Sequence, residues 1–484
     1  MSEAPENWSH LHPATLAIKA LEQLPQLVFG LPAAAYFIGD TSIFVAAIIA
    51  LIGLLASMLF AYVYWRRFTY WVGEEQLVIQ SGVLNRNRRT IPFDRIQDVS
   101  LEQKLLARIF GVSIARIETG GGGGDEGELN CISRAEADRL RDTIRAYRSG
   151  TRTVLADGET EQEEVVAPPI FTMGLGQLLI AGLFNFSLVF LAVIAGSSQY
   201  FGSYIPGGYF DAGDVVDSYG KQAVGLVSAY SILTVAMLLL AVGVITGLAR
   251  TIAREFGFRL SRTETGLRRE RGLFTRTDVV IPLKRVQAGI ISTGIVKRLF
   301  GWRALAVQSL GSDGAAGTHH VVAPLAQQDD LDPILSELSM PAPPPVEAFE
   351  RVSTRMIWRS WIEDGIALAT ITAITSIFWS SAYLLLFLAI PLAIIPVLQY
   401  RAHGYCIADG LLFVRRGFWR PRVTILPLIK VQSGTLRQNL VQRLLGSSTL
   451  AIGTAGASLA TPLRIADLDA GIARVLLGTG IIRR

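Results

Sequence analysis

Histidine pairs, two cysteines, a glycine run and clustered arginines are the residues whose types and spacing could do chemistry in this 484-residue chain. His319-His320 stand in an apparent strand, HHVVAPLA, with no cysteine or further histidine at ligand spacing. His10 and His12 form an HxH pair near the start of the chain, where weak adventitious metal binding is the most the spacing supports. Cys131 and Cys406 lie in separate charged regions and in no CxxC or Cys/His cluster, so neither a disulfide framework nor a zinc site is legible. Gly120 to Gly124 lack the Lys-Ser/Thr and the helix start of a phosphate loop and read as a strand-to-strand loop. No G-x-S-x-G, HExxH or paired-carboxylate signature occurs. The expectation is therefore no enzyme, no catalytic residue, no metal and no cofactor.

The elements that must carry these residues follow from composition. Half of the chain is hydrophobic and 18% is charged, below the quarter or so usual in soluble domains. Apolar blocks long enough for lipid account for the deficit, since about 20 apolar residues span about 30 Å of hydrocarbon. Residues 365–400 hold no charge and must fold as a hairpin, turning near Trp379-Ser380-Ser381. Runs at 23–39 and 42–65 suggest a second hairpin, and runs at 174–196 and 223–249 a third, with Asp211, Asp214 and Asp217 in its loop. The expected fold is thus membrane α + β, with six transmembrane helices in three hairpins. Arg66-Arg67, Arg250 and Arg401 follow the hairpins, so both termini and every charged segment should face the cytoplasm across the cell membrane. No Asp, Glu, Lys, Arg or His lies within a span; Asn185 is the most polar group there.

The segments after the hairpins are copies of one another. Residues 82–121, 272–311 and 417–456 share the ungapped frame G-x9-P-x2-[RK]-x-Q-x13-G. It is occupied by Gly82, Pro92, Arg95, Gln97 and Gly111, then Gly272, Pro282, Arg285, Gln287 and Gly301, then Gly417, Pro427, Lys430, Gln432 and Gly446. Alternating apolar residues at 76–79, 96–99 and 112–117 predict strands with one buried face. LEQKLLARIFG predicts a short helix stopped at Gly111. Ala137, Leu140, Ile144 and Tyr147 predict a closing amphipathic helix. Within the frame, glutamine satisfying backbone groups and the cation on a solvated strand face are preferred to a ligand site.

The frame, the tails of the hairpins and the pairs Phe110-Gly111, Phe300-Gly301 and Leu445-Gly446 resemble bacterial pleckstrin-homology (PH) domains of the YdbT type. The resemblance covers nearly the whole chain. It implies three PH-like β-barrel modules, each partly open and closed by a C-terminal helix, alternating with the hairpins. Copy three departs from it at Lys430 and Leu445. The organisation expected is an N-terminal tail (1–22), hairpin (23–67), module (68–150), acidic linker around Glu159, Glu161, Glu163 and Glu164 (151–168), hairpin (169–250), module (251–340), proline-rich linker (341–357), hairpin (358–400) and module (401–484). The resemblance also implies assembly with another membrane protein or a small single-module member of the family, and carries no catalytic residue.

Phosphate-gripping cations are missing from the first strand turns, which read Gly73-Glu74-Glu75, Arg262-Thr263-Glu264 and Ala408-Asp409-Gly410. Basic residues gather in the next hairpin: Arg86, Arg88 and Arg89; Arg268, Arg269 and Arg271; Arg415, Arg416, Arg420 and Arg422. That face could lie on anionic headgroups at about 1 kcal/mol per cation, and reads equally as a solvated charged face. Residues 401–484 hold 12 Lys and Arg against 3 Asp and Glu, so the third module exceeds the net +5 of the whole chain. Inner-leaflet lipids, and no nucleic acid, are the expected contact, with Arg415, Arg416, Arg420 and Arg422 as candidate anionic-surface residues. The function expected is a non-enzymatic membrane protein whose modules bind lipid headgroups or other proteins. The alternative is a transport or lipid-handling role for the helix bundle, resting on Asn185.

Overall fold

The computed structural model describes residues 8–23, 43–83, 85–119, 127–149, 168–185, 237, 240–264, 266–309, 319–454, 463–469 and 471–472. The glycine run, the acidic linker and the Asp211 loop lie outside them.

Each module opens with a two-residue strand, passes through its apolar segment, and only then adds the rest of its sheet. The first module has β1 (Ser9–His10), α1 (14–23), α2 (Ile43–Arg67), β2 (Thr69–Val72), β3 (Gln76–Ser81), β4 (Asn87–Pro92), β5 (Ile96–Gln103), α3 (Leu105–Ile109), β6 (Val112–Thr119), β7 (Glu128–Ser133) and α4 (Arg134–Ser149). The second repeats the order with β8 (Phe171–Thr172), α5 (Leu175–Phe184), α6 (240–255), β9 (Arg259–Arg262), β10 (Gly266–Arg271), β11 (Arg276–Pro282), β12 (Val286–Ser292), α7 (Ile295–Leu299), β13 (Arg303–Ser309), β14 (His319–Ala326) and α8 (Gln328–Glu337). The third has β15 (Glu350–Arg351), α9 (Arg355–Phe378), α10 (Ala389–Ala402), β16 (Gly404–Ala408), β17 (Leu411–Arg416), β18 (Arg422–Pro427), β19 (Val431–Arg437), α11 (Leu440–Leu445), β20 (Ser447–Thr454) and β21 (Leu463–Asp469). Because β1 pairs with β2, β8 with β9 and β15 with β16, the apolar segment is an insertion between the first two strands. The residues expected as a tail at 9–10, as part of a hairpin at 171–172 and as a linker at 350–351 thus belong to the sheets.

All sheets are antiparallel and open, which overturns the expected β-barrels. A four-stranded half (β1-β2-β3-β4) starts the chain, and a three-stranded half (β19-β20-β21) ends it. Between them run two seven-stranded sheets, β7-β6-β5-β11-β10-β9-β8 and β14-β13-β12-β18-β17-β16-β15. The edges that would close the modules pair instead across the two junctions, β5 with β11 and β12 with β18, so no module closes as a barrel. Within a module the two halves face each other across a core: Leu77 and Ile91 of the first half of module one meet Ile117 and Leu129 of the second, with Leu140 and Ile144 of α4 beneath.

Six membrane-crossing helices are likewise not what forms. Among the described residues two helical stretches are long and apolar enough to cross, Arg355–Phe378 and Ser380–Ala402. The second joins a 3-10 segment (Ser380–Leu388) to α10, and the turn falls at Trp379. The physical reason is clearest in α5, whose ten apolar residues cover the second module: Leu178 and Ala181 are buried in its core. The 25-residue α2 exposes Ile48, Leu51, Ile52, Leu55, Leu59 and Phe60. Residues 24–42 and 186–236, where further arms were expected, lie outside the described residues.

Candidate functional site

The frame residues sit where modules turn and where they join. Gly82, Gly272 and Gly417 begin the turns between the third and fourth strands with φ of +109°, +113° and +90°. A Cβ on Gly272 would lie 1.9 Å from the Thr275 carbonyl oxygen, so only glycine closes this turn. Pro92, Pro282 and Pro427 end β4, β11 and β18, ahead of the turn that carries the frame cation into the second half. Arg285 is buried there, and its Nη2 donates to the Thr119 carbonyl of the preceding module at 2.9 Å. Lys430 Nζ donates to the Lys284 carbonyl, again in the preceding module, at 3.2 Å. Arg95, in the first module of this sequence, is exposed. In copies two and three the cation is therefore an inter-module tether, and in copy one it lies on a solvated face. Gln287 is buried and its Nε2 donates to the Arg285 carbonyl at 3.1 Å, while Gln432 is exposed. The Gln97 side chain lies outside what is described.

The two junctions use one register. Leu101 pairs with Asp278 and Ile291 pairs with Val423. Leu101 and Ile291 both stand nineteen residues after the first glycine of their copy, and Asp278 and Val423 six residues after theirs. What fills the register differs. At the first junction Arg141 of α4 donates from Nη1 to Asp278 Oδ2 at 2.9 Å and from Nε to the Val99 carbonyl at 3.3 Å. Arg268 donates from Nε and Nη2 to the two oxygens of the same carboxylate at 2.9 and 2.8 Å. Arg141 and Asp278 are only 5% and 4% exposed. Burial by itself raises the Asp278 carboxyl, but hydrogen bonds and charge from Arg268 and Arg141 outweigh it and hold it below the usual carboxylate range. At the second junction Leu411, Phe413 and Ile425 of module three join the core of module two.

The basic hairpins have different fates. Asn85 to Thr90, including Arg86, Arg88 and Arg89, are exposed along β4, and the Arg88 guanidinium stands over the Trp8 ring. In module two the cations are used internally: Arg268 on Asp278, Arg271 on Glu255 at 2.8 Å, and buried Arg269 on the Val321 carbonyl at 3.2 Å. Burial, and then the Arg271 charge, lowers Arg269 to about 9. In module three Arg415 and Arg416 are half-buried, and Arg420 and Arg422 exposed.

The remaining candidates are structural. His320 lies in β14, and burial, then Arg269 and Arg271, push it down to about 4, so it is neutral near pH 7. Burial pushes the Cys131 thiol up, away from a reactive thiolate. Among the described residues no three His, Cys, Asp or Glu side chains converge as a metal site. Asn185 caps α5, and its Nδ2 donates to Thr251 Oγ1 of α6 at 3.0 Å, which makes it a helix-to-helix contact. Gly182 and Gly247 let these helices approach: a Cβ on Gly247 would meet the Asn185 carbonyl oxygen at 2.7 Å.

A three-fold unit of this kind has a counterpart among known families. The model of the bacterial PH domain matches residues 26–148, 219–340 and 365–478, each match starting within an apolar segment and running on through the strands that follow it. The chain belongs to the bacterial PH domain family. It is also 28% identical over 256 residues to the UPF0699 transmembrane protein YdbT of Bacillus subtilis (strain 168), an alignment that covers 51% of this chain and 50% of that protein. The chain thus spans about half the length of the curated relative it matches. No solved structure matches it. Within the PH framework, sequence reasoning found the frame but missed the shared sheets and the Arg141–Asp278–Arg268 cluster. A signal for the cluster existed in Arg141, which sits beside Leu140 on the apolar stripe of its helix, whereas Asp278, following Arg276 and Thr277, reads as an ordinary polar strand start.

Proposed function

We propose that this chain is a non-enzymatic membrane protein whose PH modules are protein assembly surfaces working through their sheet edges. One observation carries the reading: two successive junctions repeat the same strand register, each with a frame cation reaching back to the module before. Among the described edge strands, β4 at one end and β19 at the other are the counterparts of the strands that pair across the junctions. These are the same two edges that join the modules internally. A further PH module on another polypeptide fits either end in the same register. The β4 edge asks for an acidic partner, because Arg88 stands where Asp278 stands at the first junction and Arg86, Arg89 and Arg95 surround it.

Membrane insertion is supported by α9 and by the stretch Ser380–Ala402, whose apolar side chains face outward. Aromatic residues mark both ends, Trp358 and Trp361 at one and Trp379 and Tyr383 at the other. From Trp361 to Trp379 a helix rises about 27 Å, close to the hydrocarbon thickness. Arg401 and the basic third module support a cytoplasmic side for the modules. The relative carries "transmembrane" in its name, and the bacterial PH domain is not an enzyme family.

Photo-crosslinking residues placed at Arg89 and Thr435, in native membranes, test the assembly reading. The expected product is a crosslink to a strand of a PH module on a second polypeptide, at the register position the internal junctions define. Crosslinks to lipid alone, or to no second polypeptide, would refute it.

A further inference from the structure

The turns between the third and fourth strands lie at the ends of the apolar helices. Gly404, two residues past the end of α10, pairs with Arg415, so β17 runs back toward the helix. At about 3.3 Å per residue its turn projects about 10 Å beyond that point, alongside the last turns of α10. The turn carries Phe418 and Trp419, an edge-to-face pair with centroids 5.6 Å apart, and Trp419 is 64% exposed. The second module repeats the arrangement. The Gly272 and Leu273 amides donate to the Phe256 and Ala253 carbonyls at the end of α6, at 2.9 and 3.0 Å, and Phe274 on this turn is 52% exposed. The same two positions in the first module read Val83-Leu84. Neither Phe274 nor Trp419 belongs to a buried cluster, so the fold gives no reason for a large ring at these places.

Cations in excess stand behind the rings. Around the second junction Lys297 and Arg298 meet the arginines of the β17–β18 hairpin. Burial, and then Arg298, lowers Arg415 from its ordinary value, and burial, then Arg422 and Arg464, lowers Arg416. Lys297 is lowered by burial and then by Arg420. Like charges crowded in this way call for an external anion. Behind Phe274 a cavity of about 400 Å³ is lined by Arg108, Arg259, Arg271, Arg276 and Glu270; Arg271 is engaged by Glu255 and Arg276 faces Glu270, so Arg108 and Arg259 are the cations it offers to a phosphate.

We propose that these turns are interfacial anchors, with Phe274 and Trp419 set among the headgroups of an anionic bilayer and the arginines behind them on lipid phosphates. The inference rests on the membrane reading of the α9–α10 hairpin and is independent of the assembly reading. The Trp419 indole, an apolar ring with an N–H, favours that depth, Phe274 adds apolar area, and cations favour its anionic leaflet.

The full chain, reconstituted into phosphatidylcholine vesicles with or without phosphatidylglycerol, provides the test. With acyl chains brominated near the headgroup, the emission of Trp419 is read as the difference between the parent chain and Trp419→Phe. Bromolipid is expected to quench that component at least twofold, more strongly with phosphatidylglycerol present, while aqueous iodide leaves it untouched. The double change Arg420→Gln and Arg422→Gln should abolish the phosphatidylglycerol dependence without releasing the chain from the vesicles. Quenching by iodide but not by bromolipid overturns the anchor. Shielding from both quenchers overturns it in favour of a protein contact. Quenching that ignores phosphatidylglycerol overturns the role of the arginines. A chain that fails to float with the vesicles overturns the membrane reading itself, and the anchor with it.

Discussion

The two module junctions share one strand register and differ in what fills it. The first is polar: Asp278 is held between Arg141 from one module and Arg268 from the other. The second is apolar: Ile425 and Phe413 extend the core of module two into module three. Backbone pairing alone therefore sets the geometry of joining, and side chains set its strength and its partner. A buried ion pair contributes modest net stability but leaves an uncompensated charge when one member is lost. An apolar seam tolerates substitution in proportion to the volume removed.

The largest expected effect follows from Asp278→Ala. It leaves the buried Arg141 guanidinium without its carboxylate, while Arg268 keeps Glu270, and should cost about 3–5 kcal/mol. Hydrogen exchange in the full chain should speed up at 101–103 and 276–278 and stay unchanged at 289–292 and 422–425. Equal acceleration at both junctions would mean that they are not separate units. Ile425→Ala reverses the pattern at a cost of about 3 kcal/mol, loosening 289–292 and leaving the first junction as it was.

Acid should separate the junctions reversibly, by less than Asp278→Ala. The folded-state value of Asp278 lies below the ordinary carboxylate value of 3.8. Its contribution is therefore complete above about pH 3.8 and is lost as pH falls through the lower folded value. The strand pairs of the second junction, Gly289 to Ser292 with Ile425 to Arg422, contain no carboxylate. Exchange followed from pH 6 downward should thus break first at 276–278; a coincident break at both junctions would assign the acid effect to the modules at large.

The contrast also explains which parts of the molecule were legible in the sequence. The period-two runs became β3, β5 and β6, and the short helix did end at Gly111, because local side-chain pattern and backbone freedom decide those elements. β1, β8 and β15 left no pattern, being two residues each, so the insertion of the apolar segments inside the modules could not be read. The sharing of sheets was hidden for another reason: β5 and β11 meet across more than 170 residues, and no local rule links them. The expected six crossings failed where apolar sequence served a protein core, as Leu178 and Ala181 do in α5. The frame cation was legible as a position, but its role was not, since nothing around Arg285 indicates a carbonyl in the preceding module.

That cation gives the smallest prediction and the finest comparison. Arg285→Met removes the bond to the Thr119 carbonyl while keeping most of the aliphatic stem, and should cost about 1.5–3 kcal/mol, the range for a hydrogen bond to a charged group. Arg95→Met, at the same place in the first copy, has no preceding module in this sequence to lose and should change the stability of the chain by less than about 0.5 kcal/mol. Crosslinking from Arg89 to a second polypeptide should nevertheless fall with Arg95→Met and remain with Arg285→Met. If Arg95→Met destabilises the chain as much as Arg285→Met, the cation acts within its own module and the tether is not general. If Arg95→Met changes neither stability nor crosslinking, the outer β4 edge does not use the device that joins the inner ones.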